Sequence, residues 1–425
     1  MTLRLSDSPG RVLELRDGIH AASFTPDAGR TLVGAEVEFL VHDLASGFPV
    51  PLLGGPHSLV ELLRHYGARA GWNERHGYGV VPRFEIPGRA IVTFEPGGQL
   101  EISTLPCVNA SALIACLNDV VLPLRSALNE QGIRLESIGI DPRNDAVHIP
   151  LQLPVERYET MTRYFDAIGP FGVRMMRQTA AIQVSLDRGS RPAERWRLLN
   201  DLAPYVIAIF ANSPHYLGRD TGHRSYRAHC WRMLDATRTG VACADVDPAA
   251  EYTRFALAAN DMTRGAADRV AFGDGDARRR SDQEWRVHLT TLFPEVRPRG
   301  HYEARSCDAI VPEWYAAPIV FFYALVHDER ASAEASVLAA DSRALLRSAG
   351  EFGLRDASIA RTARDLFQLA IAGARRLGPE HVGGADIDVA AEFVDRYTAR
   401  GRSPADDRTL PVRPTAISSA TAPST

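Results

Sequence analysis

The sequence predicts an α+β fold rather than a doubly wound parallel sheet. Segments with the apolar and polar alternation of β-strands are separated by long segments with helical periodicity. No glycine-rich fingerprint of a βαβ unit accompanies any of them. The strand-rich residues 79–103, which contain a Pro-Gly-Gly turn, favour an antiparallel hairpin instead.

The predicted strands and helices follow one another along a single domain, residues 1–400. Residues 1–30 form a short N-terminal segment that ends with Pro26 and Gly29, ahead of the first strand. A Gly-Gly-Pro turn precedes the first helix, and Asn109 is placed to cap a long helix. The strands are predicted at 31–43, 79–103, 135–141, 174–187 and 300–308. The helices are predicted at 57–68, 110–130, 153–167, 191–211, 248–264, 314–327, 331–348, 356–376 and 387–399.

Two segments are predicted to lack regular structure. Residues 266–282 are rich in Gly, Asp and Arg, which predicts a loop or lid. Residues 401–425 are rich in Pro, Ser, Thr and Ala, which predicts a disordered tail. The chain shows no internal repeat.

The composition is that of an ordinary soluble globular protein, with 45% hydrophobic and 24% charged residues. No segment approaches the roughly 18 consecutive apolar residues that a membrane helix needs. The N-terminus also lacks the apolar core of a signal peptide. These features predict a cytoplasmic protein with no membrane partner. The net charge of −4 provides no general attraction to nucleic acid, so we expect no nucleic-acid partner.

The basic residues are unusual, because all 48 of them are arginine and the chain contains no lysine. This excludes a Schiff base, a lysine nucleophile and a P-loop lysine. A phosphate would therefore be held mainly by arginine, whose planar fork fits phosphate and carboxylate oxygens. The five cysteines are scattered and form no CxxC pair, which argues against a zinc site or a disulfide framework.

Two acidic pairs are the first candidate site residues. In VTFEPGGQLEIS, Glu95 and Glu101 flank a Pro-Gly-Gly turn that would let a ligand approach the backbone closely. In GAEVEF, Glu36 and Glu38 are two residues apart, so on a strand both point to one face. Neighbouring carboxylates repel each other unless a cation lies between them. Mg²⁺ prefers such oxygen ligands, although a solvated acidic strand face has the same pattern.

An arginine-rich segment contains the second set of candidates. In RPRGHYEAR, Arg297 and Arg299 flank Pro298, and Glu303 and Arg305 share one face of the next strand. This pattern places two or three guanidiniums beside a carboxylate. The alternative is a cluster of surface arginines.

Two further segments contain polar residues in less specific patterns. In RMMRQTAAIQVSLD, Thr179 and Gln183 lie on a small polar face of the predicted strand, which suits the floor of a nucleotide or substrate site. A half-exposed strand has the same appearance. In RAHCWRMLDATRTG, spacings of four, four and three separate Arg227, Trp231, Asp235 and Arg238, as on one face of a helix or of a salt-bridged amphipathic segment.

Together, in chain order, these segments resemble the plant-type glutamate–cysteine ligase family. A lone ExE is a weak signal, but EPGGQxE followed by RPRGxxExR is specific. The sequence looks most like the bacterial members that make γ-glutamylcysteine for ergothioneine synthesis. The resemblance covers about residues 34 to 310 and is carried by GAEVEF, EPGGQLEIS, RMMRQTAAIQVSLD, ANSP with RAHCWRMLDATRTG, and HLTTLFPEVRPRGHYEARSCDA.

The resemblance implies a glutamine-synthetase-like fold, in which a curved, mainly antiparallel sheet forms a funnel with helices around it. It also implies that ATP and Mg²⁺ convert the γ-carboxylate of glutamate to an acyl phosphate, from which the cysteine amine displaces phosphate. The partners are then small-molecule substrates, and the oligomeric state stays open. The implied metal ligands are Glu36, Glu38, Glu95, Glu101 and Glu303. The implied catalytic residues are Arg227, Arg299 and Arg305, and the implied cofactor-binding residues are Thr179, Gln183 and Arg297.

Other functions stay open at this point. The loop at 266–282 and the segment around Cys307 depart from the family pattern, so the acceptor amine is less certain than the activation of glutamate. The chain could join a carboxylate to a different amine. It could also be a non-catalytic relative that binds nucleotide or amino acid, although retention of every mapped glutamate and arginine argues against this.

Overall fold

One large antiparallel sheet is the centre of the fold. The computed structural model describes residues 9–27, 29, 31–241, 247–274 and 280–410. In these residues the strands are β1 (Val33–Asp43), β2 (Asn73–Tyr78), β3 (Val81–Ile86), β4 (Ala90–Phe94), β5 (Leu100–Thr104), β6 (Ile133–Glu136), β7 (Ala181–Leu186), β8 (His215–Tyr216), β9 (Arg219–Asp220), β10 (Thr239–Gly240), β11 (Phe293–Pro294), β12 (Val296–Pro298) and β13 (Tyr302–Asp308). The helices are α1 (Pro9–Ser23), α2 (Leu59–Ala70), α3 (Ala110–Glu130), α4 (Glu156–Asp166), α5 (Pro170–Gln178), α6 (Pro192–Ile209), α7 (Tyr226–Leu234), α8 (Pro248–Ala258), α9 (Asp282–Leu289), α10 (Ala316–His327), α11 (Glu329–Leu338), α12 (Leu346–Glu351), α13 (Ala357–Leu377) and α14 (Gly384–Arg396).

The large sheet is open at both ends. Its strand order is β12-β13-β7-β1-β5-β4-β3-β2, and β6 pairs with the second half of β1. Each of these pairs is antiparallel. The predicted α+β class is therefore confirmed, since long antiparallel ladders and separate helices replace βαβ units.

The two faces of the sheet differ because side chains alternate along each strand. Val37 of β1 is paired with Ile102 of β5 and Ile182 of β7, and all three are buried. The opposite face of β1 carries Glu36 and Glu38. The sheet thus has an apolar face toward the core and a polar face that borders a cavity.

The apolar side of the sheet is covered by helices. Helix α10 is buried from Ala316 to Val326 on all sides, as expected for a helix enclosed by other elements. It contacts β7, α3, α13 and α14. One hydrophobic cluster consequently runs from Leu15 in α1 to Tyr397 beyond α14.

Helix α3 has the bounds that the sequence predicts. The side-chain oxygen of Asn109 accepts the backbone N–H of Ala112 at 2.8 Å, which confirms the predicted cap. Among the helices of the described residues, α3 is long and apolar enough to cross a membrane by length and composition. Its apolar stripe, which includes Leu113, Leu117 and Val121, is buried, and the helix contacts β1, β5 and β6.

The predicted strand at 174–187 is wrong in its first half. Residues up to Gln178 form helix α5, and the strand begins only at Ala181. Pro170 at the first helical position and the helical spacing of buried Val173 and Met176 explain the difference. Tertiary burial of this helical face overrides the strand-like pattern.

The predicted strand at 135–141 also ends early, because β6 stops at Glu136. The side chain of Asp141 accepts the backbone N–H groups of Arg143 and Asn144 at 2.8 Å and 3.2 Å. Such side-chain bonds turn the chain out of the sheet.

Two segments for which no helix was predicted contain helical residues. The N-terminal segment includes α1, and residues 266–282 include a 3₁₀ turn at Phe272–Asp274. Ser281 and Glu284 form a capping box that begins α9. Residues 275–279 of the predicted loop lie outside the described residues.

The predicted disordered tail is wrong for residues 401–410. Pro404–Asp407 form a 3₁₀ turn, and the backbone N–H of Ala405 donates to the carbonyl of Ala211 at 2.9 Å. Ala405 is buried, so this short extension belongs to the packed structure despite its polar composition. Residues 411–425 lie outside the described residues.

The turn between β4 and β5 needs its glycines because of neighbouring parts of the chain. A Cβ atom on Gly97 would collide with the backbone oxygen of Arg177, and one on Gly98 would collide with the side chain of Gln152. Gly98 also has a φ of 87°. Gln152 donates its Nε2 to the carbonyl of Gly97 at 2.7 Å. The close approach is therefore made by α5 and Gln152, where the sequence suggested a ligand.

We expect Gly97→Ala to lower the free energy of unfolding by about 1–3 kcal/mol, because the backbone that it meets cannot rotate away. Gly10→Ala in α1 is the matched control, since nothing lies within 4 Å of its added Cβ. The control should change stability by less than about 1 kcal/mol. Urea unfolding monitored by circular dichroism measures both, and equal stabilities would contradict the packing described for this turn.

Candidate functional site

A cavity of about 470 Å³ lies over the polar face of the sheet. Strands β1, β4, β5 and β7 contribute its floor, and α4, α5, α7 and β12 contribute its walls. Ten of the eleven site residues predicted from the sequence line it. The eleventh, Glu303, is buried and pairs with arginines of the lining. The structure thus brings the predicted residues together.

Four glutamates share the floor of the cavity. Glu38 lies directly across from Glu101 in the register of β1 and β5, and Glu36 lies two residues before it on the same face. Glu95 follows β4 at the start of the glycine turn. These carboxylates come from segments far apart in sequence, and the antiparallel register alone places them side by side.

Hydrogen bonds satisfy only part of this negative charge. Glu38 accepts a backbone N–H of β7 at 2.9 Å and the Nε2 of Gln183 at 2.7 Å. Burial, followed by the charge of Glu101, raises the pKa of Glu38 to about 7. Burial and Glu101 also raise the pKa values of Glu36 and Glu95 well above their ordinary range. The floor therefore retains protons at neutral pH unless a cation replaces them.

Glu303 on β13 holds three arginines at the other side of the cavity. Its carboxylate lies 3.3 Å from Arg297 Nη1, 3.3 Å from Arg299 Nη1 and 3.1 Å from Arg305 Nε. Although burial opposes ionisation, these three guanidiniums hold the pKa of Glu303 below its ordinary value. Glu303 thus anchors the arginines, and its role as a metal ligand stays a prediction.

Arg305 and Arg227 stack on the same indole ring. Their guanidinium carbons lie 4.8 Å and 4.7 Å from the ring centroid of Trp231. Arg305 Nε donates to Gln183 Oε1 at 3.0 Å, and Arg227 Nη2 donates to the carbonyl of Arg305 at 2.9 Å. Burial and the charge of Arg297 lower the pKa of Arg305 to about 10, so it remains charged at neutral pH. Two fixed cations therefore face the cavity.

Of the residues predicted to share a helical face, only Arg227 and Trp231 lie on the helix. Helix α7 ends at Leu234, and Asp235 and Arg238 lie in the turn beyond it, 2.9 Å apart. Arg238 is completely buried and donates Nη1 to a backbone oxygen of residue 291 at 2.9 Å. It therefore supports the wall segment 289–293 from behind.

Thr179 and Gln183, which were predicted to share a strand face, have different roles. Thr179 precedes β7, and its Oγ1 donates to a carbonyl in the last turn of α5 at 2.6 Å. Its own carbonyl accepts the Nε2 of Gln99 at 3.0 Å. Gln183 instead bonds both Glu38 and Arg305. It links the acidic floor to the arginine cluster, whereas Thr179 only borders the cavity.

Asp308, which positions Arg227, is not among the residues that the sequence motifs predicted. Asp308 accepts hydrogen bonds from Ser213 Oγ at 2.6 Å, Ser225 Oγ at 2.9 Å and the backbone N–H of Asn212 at 2.8 Å. Its Oδ1 lies 3.7 Å from Nη1 of Arg227. An isolated aspartate between buried residues of a strand is the sequence signal that points to such a role.

The wall formed by α4 was also missed. The guanidinium of Arg157 lies 4.4 Å from the ring centroid of Tyr158, and both residues line the cavity. The charge of Arg157 acts on Glu95, because it opposes the rise in the pKa of that carboxyl. Alternating polar and apolar residues on a short helix carry no distinctive signal for this contact.

The donor chemistry of the floor fits a hard cation such as Mg²⁺. Four carboxylates supply only oxygen ligands, and burial together with neighbouring negative charge raises the pKa values of Glu36, Glu38 and Glu95. Glu303 Oε2 and Arg305 Nη1 are buried and make no hydrogen bond of good geometry to the described residues. No three His, Cys, Asp or Glu side chains of the described ranges already form a metal-binding group. A bound cation would therefore draw the glutamates closer together.

Comparison with solved structures identifies the fold. The crystal structure of glutamate–cysteine ligase from Francisella tularensis in complex with AMP matches with a TM-score of 0.53. The match covers 90% of this chain and 85% of that chain at 12% sequence identity, so it concerns the fold alone. The predicted glutamine-synthetase-like fold is confirmed.

Sequence comparison then gives the family. The profile of glutamate–cysteine ligase family 2 (GCS2) matches residues 32–411. Glutamate–cysteine ligase EgtA of Mycobacterium tuberculosis strain H37Rv is 36% identical over 345 residues, which cover 76% of this chain and 77% of that protein. The chloroplastic glutamate–cysteine ligase A of Oryza sativa subsp. japonica is 30% identical over 349 residues, covering 75% and 69%. The chain belongs to glutamate–cysteine ligase family 2, and the predicted resemblance is confirmed.

We expect Glu38 to make the metal-free protein less stable as the pH rises. Between its ordinary pKa of 4.5 and its folded pKa of about 7, the folded state keeps a proton that the unfolded state has lost. The free energy of unfolding should therefore fall across this range, with a contribution from Glu38 of up to about 3 kcal/mol. Urea unfolding in chelator-containing buffer at several pH values should show a smaller fall for Glu38→Gln than for the wild type.

Glu313→Gln is the control for this experiment, because the Glu313 side chain is 64% exposed. It should show the wild-type dependence on pH. A Glu38→Gln protein with the full wild-type fall would contradict a protonated Glu38 in the folded state.

Proposed function

We propose that this protein is an ATP- and Mg²⁺-dependent ligase that joins the γ-carboxylate of glutamate to the amine of cysteine. The products are γ-glutamylcysteine, ADP and phosphate. The observation that carries this proposal is one cavity lined by four glutamates and two stacked guanidiniums, in which Gln183 bonds both Glu38 and Arg305. Family membership supports the same reaction, and similarity to proteins named EgtA supports a first step in ergothioneine synthesis.

The acidic floor would hold Mg²⁺ through Glu36, Glu38, Glu95 and Glu101. Bound Mg²⁺ supplies the positive charge that lets an acidic site accept a triphosphate. The contribution of the chain is to hold these carboxylates side by side on β1, on β5 and in the turn after β4. Burial raises the pKa values of Glu36, Glu38 and Glu95, which makes these three sensitive to an added cation. Gln183 keeps one oxygen of Glu38 oriented through its 2.7 Å hydrogen bond.

The arginines would bind the negative charge of the reacting groups. The side chain of Arg299 is 53% exposed, so it can reach a substrate carboxylate. Arg305 and Arg227 are instead buried and fixed against Trp231. Fixed guanidiniums stabilise developing charge on a transferring phosphoryl group without reorganising. With no lysine in the chain, cationic side-chain contacts to phosphate fall mainly to these arginines.

The reaction would consist of two displacements. An oxygen of the glutamate γ-carboxylate attacks the γ-phosphorus of ATP, the bond from that phosphorus to the bridging oxygen breaks, and ADP leaves. The cysteine amine then attacks the acyl carbon, and phosphate leaves with the electrons of the carbon–oxygen bond. The proton lost by the amine passes to the departing phosphate or to water. Positioning of the amine in the cavity would supply much of the rate of this step.

The proposed partners are small molecules, and the proposed location is the cytoplasm. The family match over residues 32–411 and the cluster from Leu15 to Tyr397 support one catalytic domain that includes the extension to residue 410. This domain would act without nucleic-acid or membrane partners.

Release of ADP or phosphate tests the proposed reaction. Purified protein with ATP, Mg²⁺ and glutamate should release phosphate only when cysteine is added, and mass spectrometry should identify γ-glutamylcysteine. Every other amino acid and a set of small amines are tested in parallel. Turnover with another amine would reassign the acceptor, and no turnover in folded protein would favour a non-catalytic binding protein.

Arg305→Gln should lower kcat roughly 10²–10³-fold, because it removes a fixed positive charge from the transferring phosphoryl group. Arg305→Lys should recover only part of the loss, since an ammonium lacks the planar fork that bonds Gln183. The control is Arg330→Gln, whose side chain is 73% exposed and lies outside the cavity lining. Wild-type turnover in a folded Arg305→Gln protein would exclude Arg305 from the reaction.

A further inference from the structure

A second cavity, of about 860 Å³, shares no lining residue with the first. It lies between the second half of α3, strand β6 with the residues that follow it, and the C-terminal extension at 407–409. Its guanidiniums belong to Arg125, Arg134, Arg143 and Arg408, and its carboxylates belong to Glu136, Glu313 and Asp407.

The carboxylates of this second cavity are largely engaged. Glu136 pairs with Arg143. Asp407 lies 2.6 Å from Arg402 and 3.0 Å from Arg396, and neither of these arginines lines the cavity. Arg134 lies 4.0 Å from Glu136 and Arg125 lies 3.8 Å from Glu313, so among the arginines of the lining only Arg408 makes no ion pair with a described carboxylate.

Arg408 differs from the other three arginines of the lining, because its hydrogen bonds go only to neutral acceptors. Its Nε donates to Asn212 Oδ1 at 2.7 Å and its Nη2 donates to the carbonyl of Ser137 at 3.0 Å, and both acceptors are neutral. In the described part of the chain no carboxylate forms an ion pair with Arg408, and its Nη1 makes no hydrogen bond. Burial lowers the pKa of Arg408, although the charges of Glu136, Asp407 and Asp308 oppose this fall.

A second polar group in this cavity also lacks a partner. The hydroxyl of Ser137 is buried, and Ser137 is only 6% exposed, yet its Oγ has no hydrogen-bond partner among the described residues. Ser137 and Arg408 are adjacent, because Arg408 donates to the Ser137 carbonyl. A guanidinium without an ion pair, bonded to a residue whose hydroxyl has no partner, is a suitable site for a carboxylate, which accepts from both groups.

A short series of contacts connects Arg408 to the first cavity. Arg408 bonds the side chain of Asn212, and the backbone N–H of Asn212 donates to Asp308 at 2.8 Å. Asp308 in turn lies 3.7 Å from Arg227 on α7. Two buried residues therefore separate a cation of the second cavity from a proposed catalytic arginine.

We propose that the second cavity binds a small polycarboxylate anion at Arg408 and Ser137, and that binding alters helix α7 through Asn212 and Asp308. One carboxylate meets Arg408 and the Ser137 hydroxyl. The volume leaves room for further carboxylates, which Arg134 and Arg125 meet at the opening, where their side chains are 55% and 36% exposed. Any effect of this anion on catalysis rests on the proposed function, whereas binding and the response of α7 do not.

Isothermal titration of the full chain with tricarballylate tests the binding step, with orthophosphate as the comparison anion. We expect tricarballylate to bind the wild type and to bind Arg408→Gln at least about tenfold more weakly, because a charge-assisted hydrogen bond is removed. Arg134→Gln provides a second variant on the exposed side of the cavity. The proposal is overturned if tricarballylate does not bind at millimolar concentration, or if it binds folded Arg408→Gln and Arg134→Gln as tightly as the wild type. Binding of orthophosphate alone also overturns it.

Two control variants identify the cavity that is occupied. Arg299→Gln alters the first cavity and should retain tricarballylate binding. If Arg299→Gln instead lost tricarballylate binding, the anion would be assigned to the first cavity. Arg355→Gln, with a side chain 61% exposed and outside both linings, should match the wild type.

Hydrogen–deuterium exchange of the α7 amides tests the connection, and it does so whether or not ligase activity is found. Tricarballylate should change exchange in Tyr226–Leu234 in the wild type. In Asp308→Asn it should change exchange much less, because the contact to Arg227 is weakened. Binding without any change in α7 would overturn the connection, and failure of the ligase assay alone would leave it intact.

Discussion

The structure depends on the burial of like charges side by side on one face of an antiparallel sheet. Glu36, Glu38 and Glu101 are placed together by the register of β1 and β5, and Glu95 joins them from the neighbouring turn. Desolvation and mutual repulsion raise the pKa values of three of these groups. A fold with this arrangement is least stable when it is empty and ionised, so its charge balance requires protons or a cation.

The arginine cluster lies on the same sheet, but the pKa of its carboxylate is lowered rather than raised. Glu303 is fully buried and remains ionised because three guanidiniums surround it. Gln183 joins the two halves, since its amide nitrogen donates to Glu38 and its amide oxygen accepts from Arg305. The neutral side chain of Gln183 therefore lies between the glutamates of the floor and the arginine cluster. This arrangement places carboxylates and guanidiniums in a single cavity.

Residues behind the cavity determine how rigid it is. Trp231 carries two guanidiniums on its ring, and Asp308 holds one of them through a network that includes two serines and a backbone N–H. The glycine turn after β4 is packed against α5 so closely that a methyl group at Gly97 has no space. Chemistry on a reactive acyl phosphate benefits from such fixed groups, because they need not reorganise during the reaction.

The sequence by itself determined the α+β class, the bounds of α3, the family resemblance and ten of the residues that line the cavity. These features depend on local periodicity, caps and contiguous motifs such as EPGGQLE, which are readable within short segments. The tertiary structure alone decided that residues 170–178 are helical, that residues 401–410 are ordered and that Asp308 supports Arg227. Each of these results depends on contacts between segments far apart in the chain, such as the 2.9 Å bond from Ala405 to Ala211. Local patterns contain no information about such contacts, because burial and charge compensation are properties of the assembled fold.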